Sequence, residues 1–468
     1  MHKTLLFDQL TPVALYGKIK EIFPSQITML FESVVNTSDG NFSFITIGAK
    51  ERLSYKNKTT THIDKTGKTN TLDVNPFTFL KSYYASVDKE VYKAKAQELG
   101  FSFVDGFIGF IAYDMVKVFE PTLEESMDGL DDPLDTPDLD LVRPSIIMAY
   151  SHKSSKLTLI LNDENMQGSI EQIENILSST CTPQPLKAVK LDGEGFFSID
   201  EERYKKLVDK SKENIRSGDI FQILLSNRYT QKGKIDPLSF YRVLRSKNPS
   251  PYLFLLDYED FSICGSSPEV MVRLTEDEIL LRPIAGTRKR GKTATRDKEL
   301  ELEMLADPKE CAEHLMLIDL GRNDVGRVAK TGTVKVTDMM RVEKYSHVMH
   351  MVTDVEATIS EEYDMFDLFA ATFTAGTMTG APKIEAMKLI AKFEGLKRGF
   401  YSGSVGYFSF DGNMDSSIAI RTSLIKPDSI TLQAGGGVVA DSIPELEYLE
   451  MNNKLGALLA TLKEMETL

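Results

Sequence analysis

Two segments that are far apart in the sequence each carry a pair of glutamates at helical spacing. The segment DPKECAEHLMLIDL places Glu310 and Glu313 three residues apart. The segment PELEYLEMNNK places Glu447 and Glu450 three residues apart, with Lys454 one turn beyond. Residues at this spacing share one face of a helix, and carboxylates from two such faces could hold a hard cation such as Mg²⁺. Solvated helix faces are the alternative, because glutamate pairs at this spacing are common on protein surfaces.

Three glycine-containing segments could bind an anion through backbone N–H groups. LQAGGGVV (432–439) contains Gly435–Gly437, where a ligand could approach the backbone closely. A bulge or tight bend is the alternative explanation. PIAGTRKRG (283–291) and FTAGTMTGAPK (373–383) are Gly-Thr loops, and the second leads into a predicted helix whose free amides favour an anion.

Two further polar side chains lie in predicted apolar strands. Arg421 in SSIAIRTSLI needs a partner for its guanidinium, and a substrate carboxylate is a candidate. His350 in HVMHMV could be functional, although a lone histidine in a strand is more often a satisfied core residue.

Composition limits the classes of protein to which the chain can belong. Hydrophobic residues are 42% and charged residues 26% of the 468 residues, as in an ordinary globular protein. The net charge of −14 argues against nucleic acid as a partner, and an anionic substrate would need a local cation to reverse this field. No apolar stretch is long enough to predict a membrane span, and MHKTLLFDQLTPVALYG predicts no signal peptide. Three cysteines, Cys181, Cys264 and Cys311, suggest a reducing, cytoplasmic location.

The elements that must position these groups alternate between short strands and helices. Strands are predicted at 42–50, 106–114, 145–150, 157–162, 220–230, 251–258, 261–266, 270–286, 404–410, 416–425 and 429–439. Helices are predicted from Asp200 to Gly218 and over 307–319, 382–394 and 444–464. Asp307 is the predicted N-cap of the second helix, so Glu310 could serve a capping box instead of a metal. TCTPQPLK (180–187) is the best linker candidate.

Strands joined by short turns predict largely antiparallel sheets. Neither a GxGxxG nor a GxxxxGK[ST] motif is present, so nucleotide binding has little support.

Taken together, the motifs resemble the chorismate-utilising enzymes in order and spacing. The resemblance is strong over about 195–460 and weaker before it. It implies an α+β fold in which large antiparallel sheets pack as a sandwich with helices outside. It also implies an N-terminal regulatory and structural region at 1–190 and a chorismate-binding catalytic region at 195–468. The segments that carry it are GDIFQILLS (218–226), SSPE (266–269), PIAGTR (283–288), DPKECAEHLMLIDLGRND (307–324), FTAGTMTGAPK (373–383), GSVGYFSFDGNMDSSIAIRT (403–422) and PELEYLEMNNK (444–454).

Two positions indicate the branch of the family. Members that add water to chorismate carry a lysine base where this chain has Gln222. Members that make 4-amino-4-deoxychorismate often carry a nucleophilic lysine where this chain has Ala285. Without either activated nucleophile, the pattern favours the members that make anthranilate and pyruvate with ammonia as the direct nucleophile. Formation of aminodeoxychorismate remains the alternative within the family.

The resemblance also implies a ligand set. Mg²⁺ would be held by Glu313 and Glu450, with Glu310 and Glu447 in direct or water-mediated support. Substrate-binding residues would be Gly286, Thr287, Tyr401, Arg421, Gly435, Gly437 and Lys454. Catalytic residues would be Glu269 as a general acid with a pKa raised by burial, His350 in the later loss of pyruvate, Thr377, and Gln222 as an orienting group.

Two other expectations come from the same resemblance. LFES (30–33) and NPSPY (248–252) look like the family's feedback site for L-tryptophan, although Phe31 and Leu253 differ from its usual pattern. That site would comprise Glu32, Ser33, Pro249, Ser250, Pro251 and Tyr252. No cysteine lies in a G-x-C-x-G elbow, so a separate glutamine amidotransferase subunit would supply ammonia. A tryptophan-binding regulator without catalysis is the alternative of another class.

Overall fold

Strands and helices interleave along the whole chain. The computed structural model describes residues 1–33, 42–178, 184–345 and 348–468. The strands are β1 His2–Leu6, β2 Thr28–Glu32, β3 Phe42–Lys56, β4 Thr59–Ile63, β5 Thr69–Leu72, β6 Gly106–Ile111, β7 Leu139–Ser151, β8 Lys156–Leu161, β9 Lys190–Leu191, β10 Phe196–Phe197, β11 Gln222–Lys234, β12 Tyr252–Asp257, β13 Ser262–Ser267, β14 Val270–Thr275, β15 Glu278–Leu281, β16 Ile284–Lys289, β17 Lys335–Lys344, β18 Val348–Thr358, β19 Gly380–Ala381, β20 Ser404–Ser409, β21 Met414–Ile418, β22 Thr422–Lys426 and β23 Ser429–Val438. The helices are α1 Pro12–Ile22, α2 Pro76–Ala85, α3 Lys89–Leu99, α4 Val116–Phe119, α5 Glu124–Met127, α6 Gln167–Ser178, α7 Glu201–Ser217, α8 Pro237–Lys247, α9 Ala294–Ala306, α10 Pro308–Gly326, α11 Met365–Thr372, α12 Lys383–Glu394 and α13 Pro444–Glu466.

Two sheets diverge from the long strand β7. This strand pairs with β3 along most of its length, while its first residues pair with β6 and its last with β8. The first sheet continues from β3 through β2, β12, β13, β22 and β23 to β11. The second continues from β6 through β20, β21, β14 and β15 to β18, which also pairs with β16 and β17. All these pairings are antiparallel, as the short connections predict.

Two hydrophobic cores fix the layers. One core contains Phe254 and Ile263 from the first sheet together with Met271 and Val405 from the second, so it lies between the sheets. The other core combines the opposite face of the first sheet with helices that include α1, α7, α8 and α13. The structure therefore confirms the α+β sandwich with helices outside, because each sheet buries apolar side chains that would otherwise face water.

Strands from the two halves of the sequence belong to the same sheets. β2 pairs with β12 in the first sheet, and β6 pairs with β20 in the second. The division into 1–190 and 195–468 stays a prediction. The linker candidate at 180–187 falls partly outside the described residues.

The two glutamate-bearing helices each have a proline in the first turn, and α10 also has a side-chain cap. Asp307 caps α10 by accepting hydrogen bonds from the amides of Lys309 and Glu310, and Pro308 occupies the first turn. Helix α13 starts at Pro444 and packs on β23 and against α7 and α8. Both glutamate pairs thus lie in the first two turns of their helices, near the positive end of the helix dipole.

Two predicted strands are interrupted in the structure. The segment 416–425 divides into β21 and β22, and Arg421 lies in the turn between them with φ +50°. The segment 270–286 divides into β14, β15 and the start of β16, with Glu276 at φ +57° in the first turn. Among the described residues, no helix is long and apolar enough to cross a membrane.

Candidate active site

The glutamates of α10 and α13 converge on the glycine segment of β23, and we call this group the carboxylate site. A Cβ at Gly437 would lie 4.0 Å from Glu313 Oε1, and a Cβ at Gly436 would lie 3.4 Å from Glu447 Oε2. Glycine therefore lets carboxylates from both helices approach one strand. The glycines are not at a bulge, because Gly435–Gly437 continue the antiparallel pairing with β11.

The carboxylates of this site influence one another. Burial raises the pKa of Glu313, and the charges of Glu310 and Glu450 raise it further, while Lys454 opposes them. Burial likewise raises the pKa of Glu447, and the charge of Glu450 adds to this effect. Such mutual repulsion occurs only when like charges lie close together.

Two basic side chains already neutralise part of this charge. Lys454 Nζ lies 2.9 Å from a Glu450 carboxylate oxygen and donates a hydrogen bond of 3.0 Å to the carbonyl of Gly435. Arg288 Nη1 donates a hydrogen bond of 2.7 Å to Glu310 Oε1. The second contact was missed because the sequence pattern predicts a Gly-Thr loop at this position, whereas the structure places Arg288 in β16.

The donor set is compatible with a hard cation. Glu447 Oε2 and Gln222 Oε1 are buried and have no hydrogen-bond partner in the described part of the chain. Within that part, however, no three histidine, cysteine, aspartate or glutamate side chains are close enough to form a ready-made metal site. Mg²⁺ needs only one or two protein carboxylates, since water and substrate oxygens can fill its other positions. The residues therefore fit Mg²⁺, and the magnesium site stays a prediction.

Glu269 lies in a second group, which we call the acid–base site. Its side chain is 6% exposed, between β13 and β14, and accepts a hydrogen bond of 3.1 Å from Thr377 Oγ1. Burial raises the pKa of Glu269 to about 8, while the Thr377 hydroxyl and the charge of Arg421 act in the opposite direction. Glu269 is thus mainly protonated at neutral pH and can donate a proton.

His350, on β18, has the complementary character. Its Nδ1 lies 3.1 Å from the carbonyl oxygen of Gly286 and 3.1 Å from Thr287 Oγ1. Because a carbonyl can only accept, the hydrogen is assigned to Nδ1, which leaves a lone pair on Nε2. Nε2 is buried and has no hydrogen-bond partner in the described part of the chain. Burial, followed by the charge of Arg421, lowers the pKa of His350 to about 4. The imidazole is therefore a neutral base at pH 7.

The charge of Arg421 influences both Glu269 and His350, and burial lowers the pKa of Arg421 itself. None of the side-chain hydrogen bonds among the described residues involves its guanidinium. A partly buried guanidinium that has no hydrogen-bond partner among the described residues, beside an acid and a base, is suited to an anionic ligand.

Tyr401 lies in a different environment from Arg421. Its ring is 3% exposed and its centroid lies 5.8 Å from the Arg398 guanidinium. Arg398 is fully buried and pairs with Glu394 at 2.6 Å. The Arg398 guanidinium also donates hydrogen bonds to the carbonyls of Leu224 and Met378. It thereby connects β11 with the loop that carries Thr377. Sequence reasoning missed the pair, and the role of Tyr401 in substrate binding stays a prediction.

A separate cavity of about 140 Å³ lies between the two sheets, and we call it the aromatic cavity. Of the residues predicted for an effector, Glu32, Ser33, Pro251 and Tyr252 line it, whereas Pro249 and Ser250 are not among its lining residues. Its walls also include aromatic rings, among them those of Phe31, Phe42, Phe44, Tyr345 and Tyr407.

Charged groups of both signs face the aromatic cavity. Tyr252 Oη donates to Asp415 at 2.9 Å and accepts from Arg273 at 3.0 Å. The carboxylate of Glu32 accepts from Tyr241 Oη at 2.7 Å and from Arg245 at 3.0 Å. Aromatic walls with an acid and a base are suited to an aromatic amino acid.

Comparisons with known proteins show the family and fold to which the chain is similar. The family model described as chorismate binding enzyme matches residues 30–460. Anthranilate synthase component 1 of Aquifex aeolicus is 40% identical, with 100% of this chain and 95% of that protein covered. The protein of that name from Neisseria gonorrhoeae is 41% identical over 97% of this chain and 92% of its own length.

Solved structures give the same relationship. The crystal structure of anthranilate synthase component I from Streptococcus pneumoniae has a TM-score of 0.79 and 32% identity, covering 96% of this chain and 98% of that one. The isochorismate synthase MenF of Escherichia coli has a TM-score of 0.72 at 17% identity, covering 99% of this chain and 94% of that one, which shows a shared fold alone.

Proposed function

We propose that this chain, which belongs to the chorismate binding enzyme family and to its anthranilate synthase component 1 branch, converts chorismate and ammonia to anthranilate and pyruvate. This is the first step of tryptophan biosynthesis. Beyond the sequence similarity, the observation that carries the proposal is the acid–base site, where a protonated carboxyl group and a neutral imidazole lie around an unpaired guanidinium.

Substrate binding would use the cationic groups of both sites. The Arg421 guanidinium would hold the pyruvyl carboxylate, because it has no hydrogen-bond partner among the described residues and is partly withdrawn from water. Lys454, Thr287 and the amides of β23 would hold the ring carboxylate. The free oxygen of Gln222 would accept a hydrogen bond from the incoming ammonia or orient a ring substituent.

The carboxylate site is where Mg²⁺ would bind. Glu313 and Glu450 would be its ligands, with Glu310 and Glu447 in support. When bound there, Mg²⁺ supplies positive charge that offsets the glutamates and polarises a ring carboxylate.

The acid–base site would act in both halves of the reaction. Ammonia adds at ring C2 while Glu269 gives its proton to the C4 hydroxyl, which leaves as water, and the new ammonium group then returns one proton to Glu269. His350 Nε2 then accepts the proton from C2 as the bond from the ring to the pyruvyl oxygen breaks. The ring becomes aromatic, and the released enolpyruvate takes up a proton to become pyruvate.

The cysteines support a separate source of ammonia. Cys264 is buried in β13, where its Sγ donates to the carbonyl of Pro237, and Cys311 Sγ donates to the carbonyl of Leu305. Cys181 lies outside the described residues. Neither described thiol is available to hydrolyse glutamine, so we assign this step to a glutamine amidotransferase subunit in a cytoplasmic complex.

The aromatic cavity is the proposed feedback site for L-tryptophan. Its aromatic walls would contact the indole, and its acid and base would contact the ammonium and carboxylate groups. Phe31 and Leu253 differ from the usual pattern of the family, and we expect these differences to change the affinity for tryptophan. We do not expect them to remove the site, because Glu32, Ser33 and Tyr252 all line the cavity.

A product assay tests the proposal. Chorismate, Mg²⁺ and an ammonium salt should give a fluorescent aromatic amine and pyruvate without an added lyase, and L-tryptophan should reduce the rate. Accumulation of a non-aromatic amino product would instead support aminodeoxychorismate formation. A rise in unfolding temperature with tryptophan but no turnover would indicate a regulator without catalysis.

A further inference from the structure

The aromatic cavity and the acid–base site share one wall. Pro268 and Val270 line the aromatic cavity, whereas Glu269 between them faces the smaller cavity that Thr377 also lines. Val270 and Arg282 line both cavities. A ligand in the aromatic cavity therefore lies one layer of side chains away from the groups that carry protons.

Tyr345 links the aromatic cavity to His350 through its ring. It lines the aromatic cavity, and its ring centroid lies 5.7 Å from that of the His350 imidazole, with the ring planes at 61°. Edge-to-face packing of this kind fixes the relative orientation of two rings. The orientation of the His350 ring in turn decides where its free Nε2 points.

Hydrogen bonds hold Tyr345 at its hydroxyl and at its backbone. The faces and edges of its ring carry none of these bonds. Its hydroxyl donates to Glu343 Oε2 at 2.7 Å, and Arg341 holds the other oxygen of Glu343 at 2.8 Å. Its backbone carbonyl accepts from Arg290 and its amide donates to the carbonyl of Val348. A ligand that presses on the ring can thus tilt it against His350 without dissolving the surrounding contacts.

We propose that Tyr345 is a positioning residue through which occupancy of the aromatic cavity controls His350. The identity of the ligand, L-tryptophan, rests on the proposed function. In this account the ligand favours a ring position in which the imidazole is displaced from its productive orientation. Since His350 Nε2 faces C2 of the bound ring in the proposed reaction, its displacement removes a substrate contact, and chorismate binds the tryptophan complex less tightly. By linkage, tryptophan binds the chorismate complex less tightly by the same factor.

The test separates binding of tryptophan from its effect. Calorimetry measures the affinity for tryptophan, and the affinity for chorismate with and without saturating tryptophan, in the wild type, Tyr345→Leu, Tyr345→Phe and Ser33→Leu. The wild type should show a coupling factor within the usual range of about 5- to 150-fold. Tyr345→Leu should still bind tryptophan but show a coupling factor near 1. Tyr345→Phe, which keeps the ring, should retain the coupling, and Ser33→Leu should lose tryptophan binding itself.

Each other outcome has a defined meaning. Tyr345→Leu with the wild-type coupling factor would overturn the inference. If Tyr345→Leu does not fold, Tyr345→Met provides the same test with an unbranched side chain. Loss of tryptophan binding in both Tyr345→Leu and Tyr345→Met would make Tyr345 a contact of the ligand. That result would also overturn the inference. Failure of the wild type to bind tryptophan would instead contradict the feedback part of the proposed function.

Discussion

Replacing Thr377 with valine should extend the activity of the enzyme to higher pH. The Thr377 hydroxyl donates a hydrogen bond of 3.1 Å to Glu269 and so stabilises the ionised carboxylate. A hydrogen bond to a charged group contributes about 1.5–3 kcal/mol, and the length of this one favours the lower value. At 1.36 kcal/mol per pKa unit, its loss raises the pKa of Glu269 by about 1 unit, from about 8 to about 9.

The sign of the effect follows from the role of Glu269 as an acid. Its protonated form is active, so kcat/KM for chorismate should fall as the pH rises through its pKa. The alkaline limb of the profile should therefore lie near pH 8 in the wild type and about 1 unit higher in Thr377→Val. On the acid side, His350 should lose activity only as the pH falls towards 4, where its free nitrogen becomes protonated.

The assay must distinguish titration of groups on the enzyme from titration of the nucleophile, ammonia. Formation of anthranilate is followed by fluorescence at a constant concentration of free ammonia, because the ammonium ion itself titrates in the alkaline range. Thr379→Val is the matched control, since the Thr379 hydroxyl in the same loop donates to the backbone carbonyl of Ala375 instead. Identical alkaline limbs in the wild type and Thr377→Val, or a shift to lower pH, would refute the assignment of Glu269 as the acid.

Three other changes test separate parts of the structure. Glu313→Gln should abolish Mg²⁺-dependent turnover and the rise in unfolding temperature that Mg²⁺ causes; near-normal activity would remove the metal assignment. Ser33→Leu should leave turnover but relieve inhibition by tryptophan, and unchanged inhibition in a rate assay would place the effector elsewhere. Glu394→Gln should lower the free energy of unfolding by about 3–5 kcal/mol, because it leaves the buried Arg398 charge unpaired. In denaturant titrations Glu385→Gln, which removes a more exposed ion pair, should cost less than about 1 kcal/mol, and an equal cost for the two would contradict the argument.

Regular elements were predictable from sequence where local signals agreed with the burial pattern. Asp307 and Pro308 begin α10 in the structure, as the capping pattern predicts. The strand predicted at 416–425 was wrong in its middle, because its apolar pattern continues through the turn at Arg421. A positive φ is usually associated with glycine or asparagine, so an arginine gave no signal for the break.

The candidate site was less predictable than the fold. Residue types at Glu313 and Glu447 gave a hypothesis, but only the fold shows that both approach the glycines of β23. Arg288 reaches Glu310 across the start of α10, and Tyr345, directly after β17, reaches His350 on β18. Such contacts depend on the direction of individual side chains at the ends of strands and helices, which the apolar pattern alone does not indicate.

The distribution of charge explains how a chain with a net charge of −14 could bind a doubly negative ring acid. Lys454 is engaged by Glu450 and Arg288 by Glu310. The carboxyls that remain, Glu313 and Glu447, have raised pKa values. A raised pKa means that the site resists the ionisation of these groups, and an incoming dianion would increase that resistance. We therefore expect the site to accept the substrate more readily when further positive charge arrives with it. A divalent cation would supply that charge without consuming the proton held by Glu269. The same local field that repels an isolated anion would then favour an anion bound together with a metal ion.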